Sequence, residues 1–137
     1  MISLGDVYWL HRPSAGKTLH LYFVITTPVS PDSKILLVNA TTKREGSDLS
    51  CELKPGDHPR ITHESVIQYG EAFVITARDL ERAEQELPGH YKKVEPASPS
   101  LIRQIQEAGL TSPHLAERYK QMIREELGVT GDKIPRE

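Results

Sequence analysis

The chain has 137 residues, of which 37% are hydrophobic and 26% are charged, and this length predicts one domain around a single core. Its formal net charge of -2 gives no general attraction to phosphate, so a nucleic-acid interface requires a local basic patch. The single cysteine, Cys51, excludes an internal disulfide, and the short apolar runs are far below the length of a membrane span. The N-terminus has no basic flank followed by an apolar core, so we expect a cytoplasmic protein that does not enter membranes.

Short runs of β-branched and aromatic residues fill positions 7 to 75 and predict five or six strands. Pro, Gly, Ser and Asp separate these runs, which is typical of turns. The runs are VYWL, LHLYFVIT, KILLVNAT, LSCEL, SVIQY and AFVIT. Strands of this length favour a mainly β (α+β) fold, a small barrel or sandwich in which closure removes exposed sheet edges.

A helical period replaces the strand pattern after Ala77. The run RDLERAEQEL places Leu80, Ala83 and Leu87 on one side and predicts a short helix that closes the barrel. The next run, HYKKVEPASP, is predicted to be a linker. The barrel and its closing helix are therefore assigned to residues 1–90.

Two serine-proline pairs, Ser98-Pro99 and Ser112-Pro113, each combine a capping hydroxyl with a proline suited to the first helical position. They predict two helices with apolar stripes, ending at Gly109 and Gly128. We expect an αα-hairpin over residues 98–128, packed on the barrel or on a partner. Residues 129–137 are predicted to be a mobile tail.

Two sequence features suggest ligand sites that their spacing does not support. Gly16-Lys17-Thr18 ends like a phosphate-binding loop, but the required earlier glycine is His11 and a strand follows instead of a helix. Cys51, His58 and His63 lack the close ligand pairs of a structural zinc site. We therefore expect no bound metal and no cofactor.

The stretch PGDHPRITHESVIQY holds two histidines and an arginine at the entrance of a predicted strand. One neutral imidazole and one imidazolium can move the two protons of RNA cleavage, and a guanidinium can hold the charged phosphorane. Histidine suits both tasks because its unperturbed pKa of about 6.5 leaves both forms available. His58, His63 and Arg60 are therefore candidate catalytic residues. In the alternative interpretation the histidines bond to backbone at a turn, and Arg60 pairs with Asp57 or Glu64.

From about Gly5 to Glu81 the chain resembles the MazF/PemK family of toxin endoribonucleases. The resemblance is carried by GDVYW, HLYFVITTP, ILLVNATTKREG and SVIQYGEAFVITARDLE. It implies a small SH3-like β-barrel of five to six strands, with the C-terminal helices as an extension. It also implies metal-free cleavage of single-stranded RNA by transesterification, and inhibition by a cognate antitoxin protein.

The family's site residues carry over only in part. Thr41 or Thr42 matches its active-site threonine, and His20 matches the residue before its arginine. The arginine position itself is Leu21, and the acidic residue expected on the SVIQY strand is Gln68. Either the chemistry has moved to other residues, or the fold is kept without the activity.

Several further residues are candidates for binding substrate. Trp9 and Tyr22 are candidate stacking platforms for bases. The candidate contacts to RNA are Arg12, Lys17, His20, Lys43, Arg44 and Tyr69. The alternative function is a non-catalytic SH3-like module that binds nucleic acid or a protein. A homodimer formed through the C-terminal helices also remains open.

Overall fold

The computed structural model of the protein describes residues 1–11 and 19–128. Arg12, Lys17 and the predicted tail at 129–137 lie outside this range. The described residues form six strands and three helices. In chain order these are β1 (Val7–Leu10), β2 (His20–Val24), β3 (Lys34–Thr42), β4 (Glu52–Leu53), β5 (Ser65–Thr76), α1 (Ala77–Glu86), β6 (Tyr91–Val94), α2 (Pro99–Gly109) and α3 (Glu117–Leu127).

The strands form one antiparallel sheet in the order β4-β5-β3-β2-β1-β6, curled into a half-barrel. The mainly β prediction is confirmed. Among the described strands, β4 and β6 are the two edges and do not pair with each other. Among the described residues, no strand pairing joins β4 to β6, so the half-barrel is open along this side.

Two local expectations about the strands were wrong. SVIQY and AFVIT are not separate strands but one long strand, β5, which pairs with β3 through a register shift between Leu37 and Asn39. The predicted linker after Gly89 contains β6, which pairs with β1 from Val7 to Leu10. The sheet consequently extends beyond residue 90, where we placed the end of the barrel. A short, charged run such as YKKV carries almost no strand signal, because its pairing is decided by the exposed edge of β1.

Side chains alternate between the two faces of the sheet along each strand, and both faces are buried because helices pack on each of them. Val7 belongs to the cluster beneath α2 and α3, whereas Tyr8 belongs to the cluster beneath α1. Ile105 of α2 and Ile123 of α3 are fully buried in the same cluster as the sheet residues. The C-terminal helices thus complete the core of the sheet.

The two serine-proline pairs have different roles. Ser98 caps α2 by accepting a hydrogen bond from the Leu101 amide, as predicted. Ser112 caps no helix, because α3 begins only at Glu117 and Ser112 instead donates a 2.6 Å hydrogen bond to Asp48. Gly128 ends α3 in the left-handed conformation that glycine adopts without strain.

Within residues 1–11 and 19–128, no helix combines the length and apolar character that crossing a membrane requires.

Candidate functional site

A cleft of about 560 Å³ lies where β2 begins and β3 ends. Its volume falls in the range of small-ligand sites. We call it the basic cleft and define it by its lining residues: Trp9, Leu19, His20, Leu21, Ala40, Thr41, Thr42, Arg44, Arg60, Ile61, His63, Ser65 and Gln68.

The lining is positively charged although the chain as a whole is not. Two guanidinium groups, Arg44 and Arg60, and two imidazoles, His20 and His63, line the cleft. No carboxylate is among its described lining residues. The other polar groups are hydroxyls and the Gln68 amide, and Trp9 supplies an indole ring. This combination of cationic and aromatic side chains suits a ligand that has both an anionic group and a planar ring.

His63 is held at the cleft by a threonine of the neighbouring strand. Thr42 at the end of β3 is paired in register with Ser65 at the start of β5, which brings the loop residue His63 alongside. Thr42 Oγ1 lies 2.9 Å from His63 Nε2, and the ring is exposed to solvent. Both groups are therefore placed where a ligand in the cleft can reach them.

His58 does not share this environment. It is 1% exposed, and its ring lies edge-on to Phe23 with 5.9 Å between the ring centres. Its Nδ1 accepts a 3.0 Å hydrogen bond from the Arg60 amide, so Nε2 carries the proton and donates a 2.7 Å hydrogen bond to the Glu95 carbonyl. With both nitrogens bonded to backbone, the geometry does not favour the acid/base role that we predicted for His58.

Arg60 lines the cleft and is paired with a residue that the sequence analysis did not consider. Its Nε and Nη2 donate to the Glu95 carboxylate at 2.8 and 3.4 Å, and these hydrogen bonds lower the pKa of that carboxyl group. The partners suggested from sequence, Asp57 and Glu64, are not involved in these bonds. Glu95 directly follows β6. It lies in a polar run that is typical of a linker, so no sequence pattern indicates that it is the partner of Arg60.

The bonds of His58 and Arg60 to Glu95 join the segments that follow the two edge strands. His58 and Arg60 lie in the loop after β4, and Glu95 follows β6. We call these three residues the edge clamp. Side-chain and backbone contacts thus link the two sides of the half-barrel that no strand pairing joins in the described sheet.

The remaining predicted substrate contacts lie elsewhere or are buried. Lys43 pairs with Glu52 at 2.7 Å, and this hydrogen bond raises the pKa of the lysine. Tyr69 is buried and donates a 2.6 Å hydrogen bond to the Ile105 carbonyl. Tyr22 is fully buried, so it offers no face for stacking. Gln68, at the position where the resemblance expects an acid, accepts from Asn39 and lines the cleft.

Cys51 is a buried thiol whose pKa is raised to about 11 by its burial. A thiol in such surroundings behaves as a small apolar side chain. Among the described residues, no group of three or more His, Cys, Asp or Glu side chains is arranged to hold a metal ion.

Comparison with known proteins found no family model that matches this chain and no match among curated proteins. The function is therefore argued from the cleft itself.

Proposed function

We propose that the protein is an endoribonuclease that binds single-stranded RNA in the basic cleft and cleaves it by metal-free transesterification. The observation that carries this proposal is the convergence of Arg44, Arg60, His20 and His63 on one open cleft without a lining carboxylate. The arginines hold the phosphodiester, and the imidazoles move the protons.

The second imidazole of the proposal is His20 instead of His58. His20 begins β2 and lines the cleft, whereas His58 is buried and is not among the lining residues. The neutral form of one cleft imidazole takes the proton of the ribose 2′-hydroxyl. The protonated form of the other gives a proton to the leaving 5′-oxygen.

The proposed reaction balances without a co-reactant. The 2′-oxygen forms a bond to the adjacent phosphorus while the bond from phosphorus to the 5′-oxygen breaks. The products are a 2′,3′-cyclic phosphate and a free 5′-hydroxyl. Arg60 and Arg44 stabilise the charge that builds on the phosphorane oxygens, and Thr41 or Thr42 orients the scissile group.

The proposal includes the family resemblance and what it implies. The half-barrel is then a member of the SH3-like barrels, and the chain is a MazF/PemK-like toxin whose partner is an antitoxin protein. Support comes from Thr41 and Thr42, which are the last residues of β3 and line the cleft. Leu21, which lies at the position of the family's arginine, also lines the cleft, and in the proposal Arg44 and Arg60 take the role of that arginine.

The test is cleavage of single-stranded RNA in EDTA by the wild type and by His63→Ala. We expect a loss of about 10² to 10⁴ in rate for the variant, the usual contribution of one acid/base group. His90→Ala is the matched control, because His90 lies beside His11 and is not among the lining residues of the cleft. Unchanged cleavage by His63→Ala would remove His63 from the mechanism. RNA binding without any turnover by the wild type would instead support a non-catalytic binding module.

A further inference from the structure

We infer that Glu95 is a positioning residue for the RNA phosphate: it holds Arg60 side-on, so that the free edge of the guanidinium group is presented to the basic cleft. This inference rests on the proposed function and names a residue that acts through Arg60 without touching RNA.

The donor inventory of the guanidinium group supports this assignment. Arginine has five N–H donors in a planar fork. Glu95 accepts from Nε and from one N–H of Nη2, at 2.8 and 3.4 Å. Two N–H groups of Nη1 and one of Nη2 remain, and one N–H group of each nitrogen forms an edge that can bind phosphate bidentately. Arg60 can therefore bind Glu95 and a phosphodiester at the same time.

The backbone on both sides of this ion pair is fixed by the same buried ring. His58 accepts from the Arg60 amide and donates to the Glu95 carbonyl, so the main chains of the two partners are held at a set separation. An isolated ion pair this exposed contributes little to stability, since its side chains are 44% and 49% exposed. Its contribution here is orientation, because a preorganised donor loses less entropy when it binds an anion.

Because Glu95 is negatively charged, its orienting role can be distinguished experimentally from the electrostatic effect of its charge on RNA binding. Replacing a carboxylate near an anion site with a neutral amide raises the local positive potential and strengthens binding if nothing else changes. If Glu95 orients Arg60, the same replacement weakens binding. Glu95→Gln therefore gives opposite results under the two accounts.

The experiment measures binding of a mixed-sequence 2′-O-methyl RNA strand, which cannot be cleaved, to the full chain. We expect Glu95→Gln to weaken binding about three- to tenfold, the range of one lost hydrogen bond. In an Arg60→Ala background, where no guanidinium group remains to be oriented, Glu95→Gln is expected to leave binding equal or slightly tighter, because only the loss of its negative charge remains. Equal or tighter binding by Glu95→Gln would overturn the inference.

Glu107→Gln is the matched control. Glu107 accepts from Arg103 Nε at 2.8 Å on α2, so the same kind of bond is removed outside the cleft. We expect this variant to bind the strand like the wild type. A loss equal to that of Glu95→Gln would show a general effect of charge or stability and would also overturn the inference.

A second measurement separates failure of the inference from failure of the proposed function. In ¹H–¹⁵N spectra of the free protein, the Arg60 Nε–H signal should be distinct and slow to exchange, and Glu95→Gln should return it to the range of exposed arginines. A signal that Glu95→Gln does not move would overturn the positioning role, whatever the RNA result. If the wild type binds no RNA but Glu95→Gln still moves the Arg60 Nε–H signal, the proposed function is overturned, and with it the role of Glu95 toward phosphate. The conclusion that Glu95 orients Arg60 would then stand.

Discussion

His58 and His63 are five residues apart in the chain, yet their rings have opposite environments. His58 is buried with both nitrogens bonded to backbone, and His63 is exposed beside Thr42 at the cleft. The first therefore supports the fold, and the second is available for chemistry.

This difference predicts a separation of stability from activity. His58→Ala leaves the Arg60 amide and the Glu95 carbonyl without their partner, which should lower the free energy of unfolding by roughly 2 to 5 kcal/mol. His63→Ala should change it by less than about 0.5 kcal/mol while removing cleavage, because the side chain is exposed. Denaturant unfolding of both variants checks this. An equal loss of stability in the two variants would contradict the assignment.

The different environments of His58 and His63 show which properties of single residues can be predicted from the sequence. Composition and spacing indicate that His58, Arg60 and His63 share one loop, and chemistry indicates what they can do. The partner that distinguishes them, Glu95, is 37 residues away from His58 and lies after a strand with almost no sequence signal. The sequence therefore predicts a catalytic role for His58 and only a binding role for His20, although His20 lines the cleft and His58 is buried.

At the scale of elements, the connection between α2 and α3 is anchored to the sheet side by a buried serine. Ser112 donates to Asp48, and Ser50 donates to the same carboxylate. Burial raises the pKa of Asp48, but these hydrogen bonds outweigh it, so the net pKa is below its ordinary value of 3.8. Asp48 therefore stabilises the fold above about pH 3.8, and this stabilisation is lost as the pH falls through the lower folded pKa.

Ser112→Ala should thus show a pH-dependent loss of stability. At pH 7 we expect a cost of about 1.5 to 3 kcal/mol, the value of a hydrogen bond to a charged group. The cost should shrink as the pH falls below about 3.8, through the lowered folded pKa of Asp48. Ser98→Ala is the control, because its partner is the neutral Leu101 amide and its cost of about 1 kcal/mol should not depend on pH. Denaturant unfolding of both variants at pH 7 and below about pH 3.8 measures these costs. A cost for Ser112→Ala that does not change with pH would contradict the role assigned to the Ser112–Asp48 hydrogen bond.

The two serines also show why element boundaries are hard to predict. Both precede a proline and both match the capping pattern, but only Ser98 caps a helix. The hydroxyl of Ser112 instead donates to Asp48, 64 residues away, and accepts from the His114 amide in the turn before α3. Local preferences predict the existence of α2 and α3, but the serine-proline pattern alone does not fix where α3 begins.

On the scale of the whole molecule, a half-barrel and three helices share the burial of one sheet. α2 and α3 cover one face and α1 covers the other, so the basic cleft is built on elements packed from both sides. The edge clamp joins the segments after the two edge strands and carries Arg60 into the cleft. A chain with a net charge of -2 thereby concentrates four basic side chains in one place.

The most direct test of the proposed chemistry is the identity of the RNA ends after incubation with the protein in EDTA. Mass spectrometry should find a 2′,3′-cyclic phosphate on one fragment and a 5′-hydroxyl on the other. A single 2′-deoxy sugar before the cut should abolish cleavage there, because the attacking oxygen is missing. Fragments with 5′-phosphates, cleavage next to the deoxy sugar, or no cleavage of the all-ribose strand would contradict the proposed function.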